Sequence, residues 1–273
     1  MTAVGTEPRQ QEVLGGRFVV EREVGRGGVG IVYRAFDHVT SMPVALKVIA
    51  VPGVDAGEEA RFQREGRLLA SLSHPGIVRL VAFGQLEEGT PYIAMEWLEG
   101  EDVSVRLRRA PLSLLESLHI AASVAEALGF AHAAGIIHRD VKPSNVFVVP
   151  ADDGPPRAKL VDFGVATAED VRLTRTGAII GTPAYMAPEQ ARGDGEIDAR
   201  ADLYSLGATL FEMVAGRPPH VGPTPIAVLA RLVTAPAPRL SDVMGDAPPE
   251  LDELLAQLLA THPADRPSNA LVV

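Results

Sequence analysis

The 273-residue sequence contains no cysteine. Disulfides and thiolate metal centres are therefore excluded, and the absence fits a reducing compartment. Basic charge is not in excess either: 25 Lys and Arg stand against 35 Asp and Glu, a formal net charge of -10. No broad basic field is available to hold nucleic acid. A secretory leader is not expected, because "MTAVGTEPRQQEVLGG" has no apolar core flanked by basic residues. No long run is apolar throughout. The nearest, "IAASVAEALGFAHAAGII", is interrupted by Glu126 and His132 and reads as a buried helix, not a membrane span. No internal repeat is present. What remains is an ordinary globular composition, 47% hydrophobic and 22% charged with a mean hydropathy of +0.13. The length suffices for one large core or two smaller ones. The last residues, "RPSNALVV", carry no polar tail, which leaves a longer parent protein open.

The apolar pattern changes along the chain. "RFVVEREVG", "GIVYRAF" and "PVALKVIAV" are rich in Val, Ile, Phe and Tyr with Gly or Pro between them, and predict strands. A helix is expected from about Gly57 to Ser71, with Asp55 and Glu58 as cap candidates and Phe62, Leu69 and Leu72 on one face. "GIVRLVAFG" and "PYIAMEWLEG" predict two more strands. After Gly100 the period becomes helical. Ser113 and Glu116 form a capping-box pattern, Leu114, Leu118, Ala121, Ala125 and Leu128 follow at helical spacing, and Gly135 closes the run. "NVFVV" and "AKLVDF" are short strand candidates joined by "PADDGPPR". "ADLYSLGATLFEMVAG", "PIAVLARLVT" and "PELDELLAQLLATH" are helical. The fold class expected is α+β and bilobal: a small antiparallel sheet with one helix, then a larger, mostly helical part. The boundaries read from the sequence are a flexible segment 1–16, a first lobe 17–96, a joint 96–100 and a second lobe 101–273.

Four stretches carry chemistry. "GRGGVGIV" places Gly25, Gly27 and Gly30 between two strands, where backbone N–H groups can approach a phosphate. A plain glycine-rich hairpin is the alternative, and because a strand follows, a dinucleotide-binding turn is disfavoured. Lys47 lies inside an apolar strand, where an unpaired ammonium is costly. It is either an edge lysine reaching water or the partner of a carboxylate, for which Glu65 is the candidate; Glu65 could equally pair with Arg61. "DFG", Asp162 to Gly164, puts a carboxylate at a strand end, suited to a hard cation such as Mg²⁺, although such a stretch by itself is usually just a turn. "HRDVKPSN", His138 to Asn145, gathers two cations, an acid and an amide in one loop, and Asn145 could give the cation a second oxygen.

Taken together and in this order, "GRGGVGIV", "VALK", "HRDVKPSN", "DFG" and "MAPE" resemble the eukaryote-like (Hanks-type) protein kinase domain, over about Phe18 to Arg266. The resemblance implies ATP as phosphoryl donor, with Mg²⁺ or, in its place, Mn²⁺. It implies that Gly25, Gly27 and Gly30 cover the phosphates and that Lys47, paired with Glu65, holds the α- and β-phosphates. Val32, Ala45, Met95, Glu96, Leu98, Asp102 and Phe147 would surround the rest of the nucleotide, with Met95 as gatekeeper. Asn145 and Asp162 would bind metal. Asp140 would orient the attacking hydroxyl and take its proton, with Lys142 near the γ-phosphate. Leu69, Leu80, His138 and Phe163 match a stacked spine, Asp202 a brace of the catalytic loop, and Glu189 with Arg266 an ion pair.

Lys142 and "GTPAY" resemble Ser/Thr kinases, in which the residue at Thr182 bridges the catalytic Asp and Lys. The wording of the motifs is most similar to bacterial members. Arg139 before Asp140 implies switching by phosphorylation of the activation segment, for which Thr174 and Thr176 are the candidates. The expected partners are ATP and proteins presenting Ser or Thr, with no nucleic acid and no membrane segment in this chain; the resemblance also allows a homodimer. The expected location is cytoplasmic. A pseudokinase that binds nucleotide as a scaffold is the alternative. Retention of Lys47, Asp140, Asn145 and Asp162 argues against it, and "MAPE" with Lys142 argues against a small-molecule kinase.

Overall fold

The computed structural model describes residues 12–27, 30–49, 56–150, 156–163, 183–195 and 197–273, the side chains of 56–61 and 88 excepted. The chain divides into two units. The first holds residues up to Gly66 together with Arg79–Trp97; the second holds Arg67–Val78 and Leu98–Val273.

In the first unit the alternating, β-branched runs form a six-stranded sheet: β1 (Val13–Leu14), β2 (Phe18–Gly27), β3 (Gly30–Asp37), β4 (Met42–Ile49), β5 (Leu80–Gln85) and β6 (Pro91–Glu96). Their order is β1-β2-β3-β4-β6-β5, and every pairing is antiparallel. Helix α1 (Ala56–Ala70) follows β4. Phe18, Ala35, Val44, Leu46 and Ala94 bury together as this unit's core. Because side chains alternate along a strand, the residues between them must face the other way. Two expectations are corrected here. The sheet begins at Val13, inside the segment read as flexible, since Val13 and Leu14 pair with Val19 and Phe18. That makes six strands where five were read. The cap candidates Asp55 and Glu58, and Arg61, lie outside the described side chains.

At one end of this sheet Asp37 is fully buried. Its carboxylate accepts two bonds from Arg17, both 2.7 Å, plus one from the Thr40 hydroxyl and one from Val39 N. Arg17, first, and then the other donors hold its carboxyl at about 2 against a usual 3.8. The folded value lies below the unfolded one, so this stabilisation is full above about pH 4 and lost as pH falls toward 2. A shift of that size corresponds to about 2 kcal/mol. Melting curves across this window should show wild type losing an acid-sensitive increment that Asp37→Asn lacks; parallel curves would refute it.

The second unit contains β7 (Glu101–Asp102), α2 (Val103–Arg109), α3 (Leu114–Ala133), β8 (Val146–Val149), β9 (Arg157–Leu160), α4 (Pro188–Arg192), α5 (Arg200–Ala215), α6 (Pro225–Thr234) and α7 (Pro249–Leu258). Strands β7, β8 and β9 form a small antiparallel sheet. Ser113 Oγ accepts from Glu116 N at 3.2 Å, as a cap should. The Glu116 side chain turns instead to Arg106, 3.4 Å away. Gly135, at φ 74°, ends α3: its N–H bonds His132 O and Ile136 N–H bonds Ala131 O, a Schellman closure that a Cβ would strain. Among the described residues α3 is the one helix long and apolar enough to cross a membrane. Its residues Ile120, Val124, Ala127, Leu128 and Ala131 are buried in the core with Leu203, Leu206 and Leu210 of α5.

Residues 67–78 belong to this second unit for a reason invisible in periodicity. Leu72 and Ile77 bury in its core. Val78 N–H bonds Leu160 O at 2.9 Å and Leu160 N–H bonds Gly76 O at 2.8 Å. Chain continuity alone would have assigned them to the first unit.

Candidate active site

The sheet register gathers one set of candidates. Gly25 pairs with Val32, Val32 with Lys47, and Ala45 with Met95. Directly opposed residues, and residues two apart, share a face. Val32, Ala45, Lys47 and Met95 therefore line one face of the first unit's sheet, opposite the face that buries Val44 and Leu46. Lys47 and Glu65 are both half-buried. The next residue, Gly66, is packed so closely that a Cβ would lie 2.5 Å from the Phe83 ring; with Phe62 edge-on to the same ring, it sets α1 against β5. Glu96 N–H bonds Arg79 O, and Glu96 Oε1 accepts from Arg79 N, both at 2.9 Å. Trp97 follows, under the guanidinium groups of Arg34 and Arg22 at 5.0 and 5.7 Å.

The glycines differ in what the fold requires of them. A Cβ on Gly30 would lie 2.1 Å from Val48 O, at φ 152°. Gly30 must be glycine for the sheet to close. Gly25 and Gly27 would place a Cβ in open space, with no positive φ. Nothing among the described residues explains them, which suits backbone kept bare for a ligand.

The second unit carries the polar loop. Asp140 Oδ2 accepts from Lys142 Nζ at 2.7 Å and from Asn145 Nδ2 at 2.9 Å, and Asn145 Nδ2 also bonds Asp140 O at 2.8 Å. Asp140 is 37% exposed and Lys142 19%. His138 is buried, its ring 4.4 Å from Phe163. Its Nδ1 accepts from Asp140 N, so Nε2 carries the proton and donates to Val161 O at 3.0 Å. Arg139 sits at φ 67° and Asp162 at φ 58°, sparsely populated backbone for residues with a Cβ. Asp202 of α5 holds the first of these: Oδ1 accepts Arg139 N at 2.7 Å and Oδ2 accepts His138 N at 2.8 Å.

Five further residues singled out in the sequence have definite places. Asp102 and Phe147 lie opposite each other across β7 and β8. Asp102 Oδ1 also caps α2 by accepting Val105 N at 2.9 Å. Leu98 opens the second unit's main segment. Leu69 packs with the second core while Leu80 belongs to the first unit's sheet. Thr174, Thr176, Thr182 and Gly164 lie outside the described residues.

Sequence reading missed two residues. Gln190 accepts Ala187 N and donates to Arg139 O, both at 3.1 Å, tying α4 to the polar loop. His132 bonds Asp202. The polar interruption of an apolar helix was the available signal for His132; Gln190 gave none. Nearby, Tyr185 donates its hydroxyl to Glu212, and burial raises both groups above their ordinary values.

The protein kinase domain family matches residues 18–273. The chain belongs to the protein kinase family. The kinase domain is 38% identical to serine/threonine-protein kinase pkn3 of Myxococcus xanthus, across 93% of this chain and 48% of that protein. It is 36% identical to PknL of Mycobacterium tuberculosis, across 100% and 68%. It is 42% identical to the DNA damage-responsive serine/threonine-protein kinase RqkA of Deinococcus radiodurans, across 94% and 38%. It thus spans about half the length of pkn3 and less of RqkA. The crystal structure of the Mycobacterium tuberculosis PknI kinase domain is similar at TM-score 0.76 and 32% identity, covering 97% of this chain and 96% of that one. The bilobal α+β kinase fold and the bacterial Ser/Thr kinase kinship expected from the motifs are thereby established, and nothing favours a pseudokinase. The family uses ATP, a divalent metal and protein substrates.

Proposed function

We propose that this domain transfers the γ-phosphate of ATP to Ser or Thr hydroxyls of proteins, itself included, with Mg²⁺ as the metal. The observation that carries the reading is the Asp140, Lys142 and Asn145 arrangement. Both donors bond Oδ2 of Asp140, leaving Oδ1 to accept the proton of a substrate hydroxyl. That hydroxyl oxygen bonds to the γ-phosphorus, the bond to the β-phosphate oxygen breaks, ADP leaves, and the proton passes to Asp140. Lys142, held 2.7 Å from the same carboxylate, puts positive charge beside the transferring group. The chain's contribution is thus positioning and charge, which suits a loose transition state.

Asp162 and Asn145 would hold the metal. Both Nδ2 bonds of Asn145 are spent on Asp140, so Oδ1 is the atom it offers. Oxygen donors without sulfur fit a hard cation, and among the described residues no cluster of three or more His, Asp or Glu forms a full cage. Mg²⁺ takes few protein ligands and completes its shell with phosphate and water; bound there, it neutralises charge on the phosphate oxygens. Lys47, paired with Glu65, would hold the α- and β-phosphates, and Gly25 and Gly27 would lay N–H groups over them. Val32, Ala45, Met95 and Glu96 of the first unit would contact the nucleotide, as would Leu98, Asp102 and Phe147 of the second. Thr182 would bridge Asp140 and Lys142, and Thr174 and Thr176 would be the regulatory phosphosites. The ATP requirement supports a cytoplasmic site of action.

Intact mass and phosphosite mapping after incubation with Mg²⁺ and ATP test the reading. Phosphate at Thr174 or Thr176, absent from Asp140→Asn, is expected; no phosphate on wild type or on added protein substrates refutes it. The glycines give a separate check. Gly27→Ala should keep wild-type stability and raise the KM for ATP several-fold. Gly30→Ala should lower the melting temperature, since its Cβ would meet Val48 O at 2.1 Å. Equal behaviour of the two variants would contradict the assignment.

A further inference from the structure

Gln190 stands in the first turn of α4, after Pro188 and Glu189. Its amide makes two bonds of opposite kind. Oε1 accepts from Ala187 N at 3.1 Å, which caps the start of the helix. Nε2 donates to the carbonyl of Arg139, also at 3.1 Å and 51 positions away in sequence. The two partners fix the orientation of the amide, because turned over it would face donor to donor and acceptor to acceptor.

The cap does not explain a glutamine. Glutamate accepts the same bond, and a negative charge suits the first turn of a helix. What glutamate lacks is the donor. Stability does not explain it either. The bond to Arg139 O joins two neutral groups and is exposed, so it adds little to the net stability of the fold. The reason for the donor lies with the carbonyl that it meets.

That carbonyl sits in a demanding place. Arg139 is at φ 67°, a backbone conformation that a residue with a Cβ keeps only when its surroundings enforce it. The peptide unit before Arg139 is held through its N–H, which donates to Asp202 Oδ1 at 2.7 Å. The unit after it carries Arg139 O and the N–H of Asp140. That N–H reaches His138 Nδ1 at 3.3 Å, a long bond made within the same loop. Its C=O is held by Gln190. The helix that supplies Gln190 is itself fixed, since Glu189 shares two bonds with the buried Arg266. Gln190 is thus an anchor from outside the loop on the peptide unit that leads into Asp140. Without it that unit is free to swing about the two torsions flanking it, and the Asp140 side chain turns with it.

We infer that Gln190 is a positioning residue for phosphoryl transfer, acting through the Arg139 carbonyl on the placement of Asp140. The inference rests on the functional reading above. It requires a donor at Nε2; the acceptor at Oε1 serves the helix alone.

The test separates the two halves of the amide. Gln190→Glu keeps the acceptor, Gln190→Lys keeps a donor, and Gln190→Met keeps neither. Glu and Met should lower kcat roughly 10-fold, less than the about 10²-fold that a misplacement of about 1 Å can cost. KM for ATP should hold, and Lys should retain most of kcat. Melting temperature should sort the variants differently, with Glu nearest wild type because it keeps the cap, and Lys and Met lower. Backbone hydrogen exchange at Asp140 reads the peptide unit directly, and should accelerate in Glu and Met but not in Lys. A residue that only capped α4 would give a kcat that follows melting temperature, with Glu unharmed and Lys impaired. That pattern, wild-type kcat and exchange in Glu, or a folded Lys variant no better than Met overturns the inference. If Lys does not fold, Glu against wild type decides, because the cap is intact in both. A wild type that transfers no phosphate overturns the functional reading instead, and the exchange comparison still decides whether Gln190 holds the loop.

Discussion

Asp140→Asn is expected to bind ATP as wild type does and to transfer phosphate about 10²- to 10⁴-fold more slowly, the usual contribution of a positioned base. The asparagine keeps the shape of the side chain and an oxygen for Lys142 Nζ and Asn145 Nδ2, which now bond Asp140 at 2.7 and 2.9 Å. What it loses is the charge and the capacity to take a proton. The melting temperature should therefore stay close to wild type while kcat collapses. Single-turnover transfer to a protein substrate, beside a nucleotide-binding titration, measures both halves. A rate within tenfold of wild type would remove Asp140 from the chemistry. Weakened ATP binding with an unchanged single-turnover rate would place it in nucleotide binding.

The largest stability effect should come from Arg266. Its side chain is fully buried and its partner Glu189 nearly so. Two bonds, 2.6 and 2.7 Å, join the guanidinium to both carboxylate oxygens. The same group donates to Arg200 O and Ala260 O, each at 2.9 Å, and lies 5.0 Å from the Tyr204 ring. Arg266→Met would strand a buried carboxylate and leave two half-buried carbonyls without this donor. Breaking a buried pair in this way costs about 3–5 kcal/mol. Lysine should not rescue it, because a single ammonium cannot span both carboxylate oxygens. Adding Glu189→Leu to Arg266→Met should recover part of the loss, since an apolar pair can replace a buried ion pair at little net change. Denaturant titration of the single and double variants reads these differences. A single-variant loss below about 1 kcal/mol, the range of exposed pairs, would mean that the pair is not structural.

Parts of this molecule were legible because their causes are local. The capping serine, Ser113, and the closing glycine, Gly135, act within one turn of the residues that signal them. The strands of the first sheet show in their β-branched alternation, and Lys47 stood out as a charge in an apolar run. Asp140, Lys142 and Asn145 are within six residues of one another, so their mutual bonds follow from one loop. Two short elements, β7 and α2, were not read, because two and seven residues give periodicity too little to act on. The strand β1 was missed for the same reason, its two residues meaning something only once β2 lies beside them.

The sequence by itself determined the alternation of strand and helix, the family, and the residue types available for phosphoryl transfer, all properties of contiguous segments. Only the tertiary structure decided which unit claims residues 67–78, because burial of Leu72 and Ile77 and pairing with Leu160 outweigh chain continuity. It alone separated Gly30, which the sheet requires, from Gly25 and Gly27, which it does not. It alone brought His132 to Asp202 and Gln190 to Arg139, across 70 and 51 positions. The physical reason is the same in each case: a buried polar group must find its partner in space, and packing, not sequence separation, decides which partner is within reach.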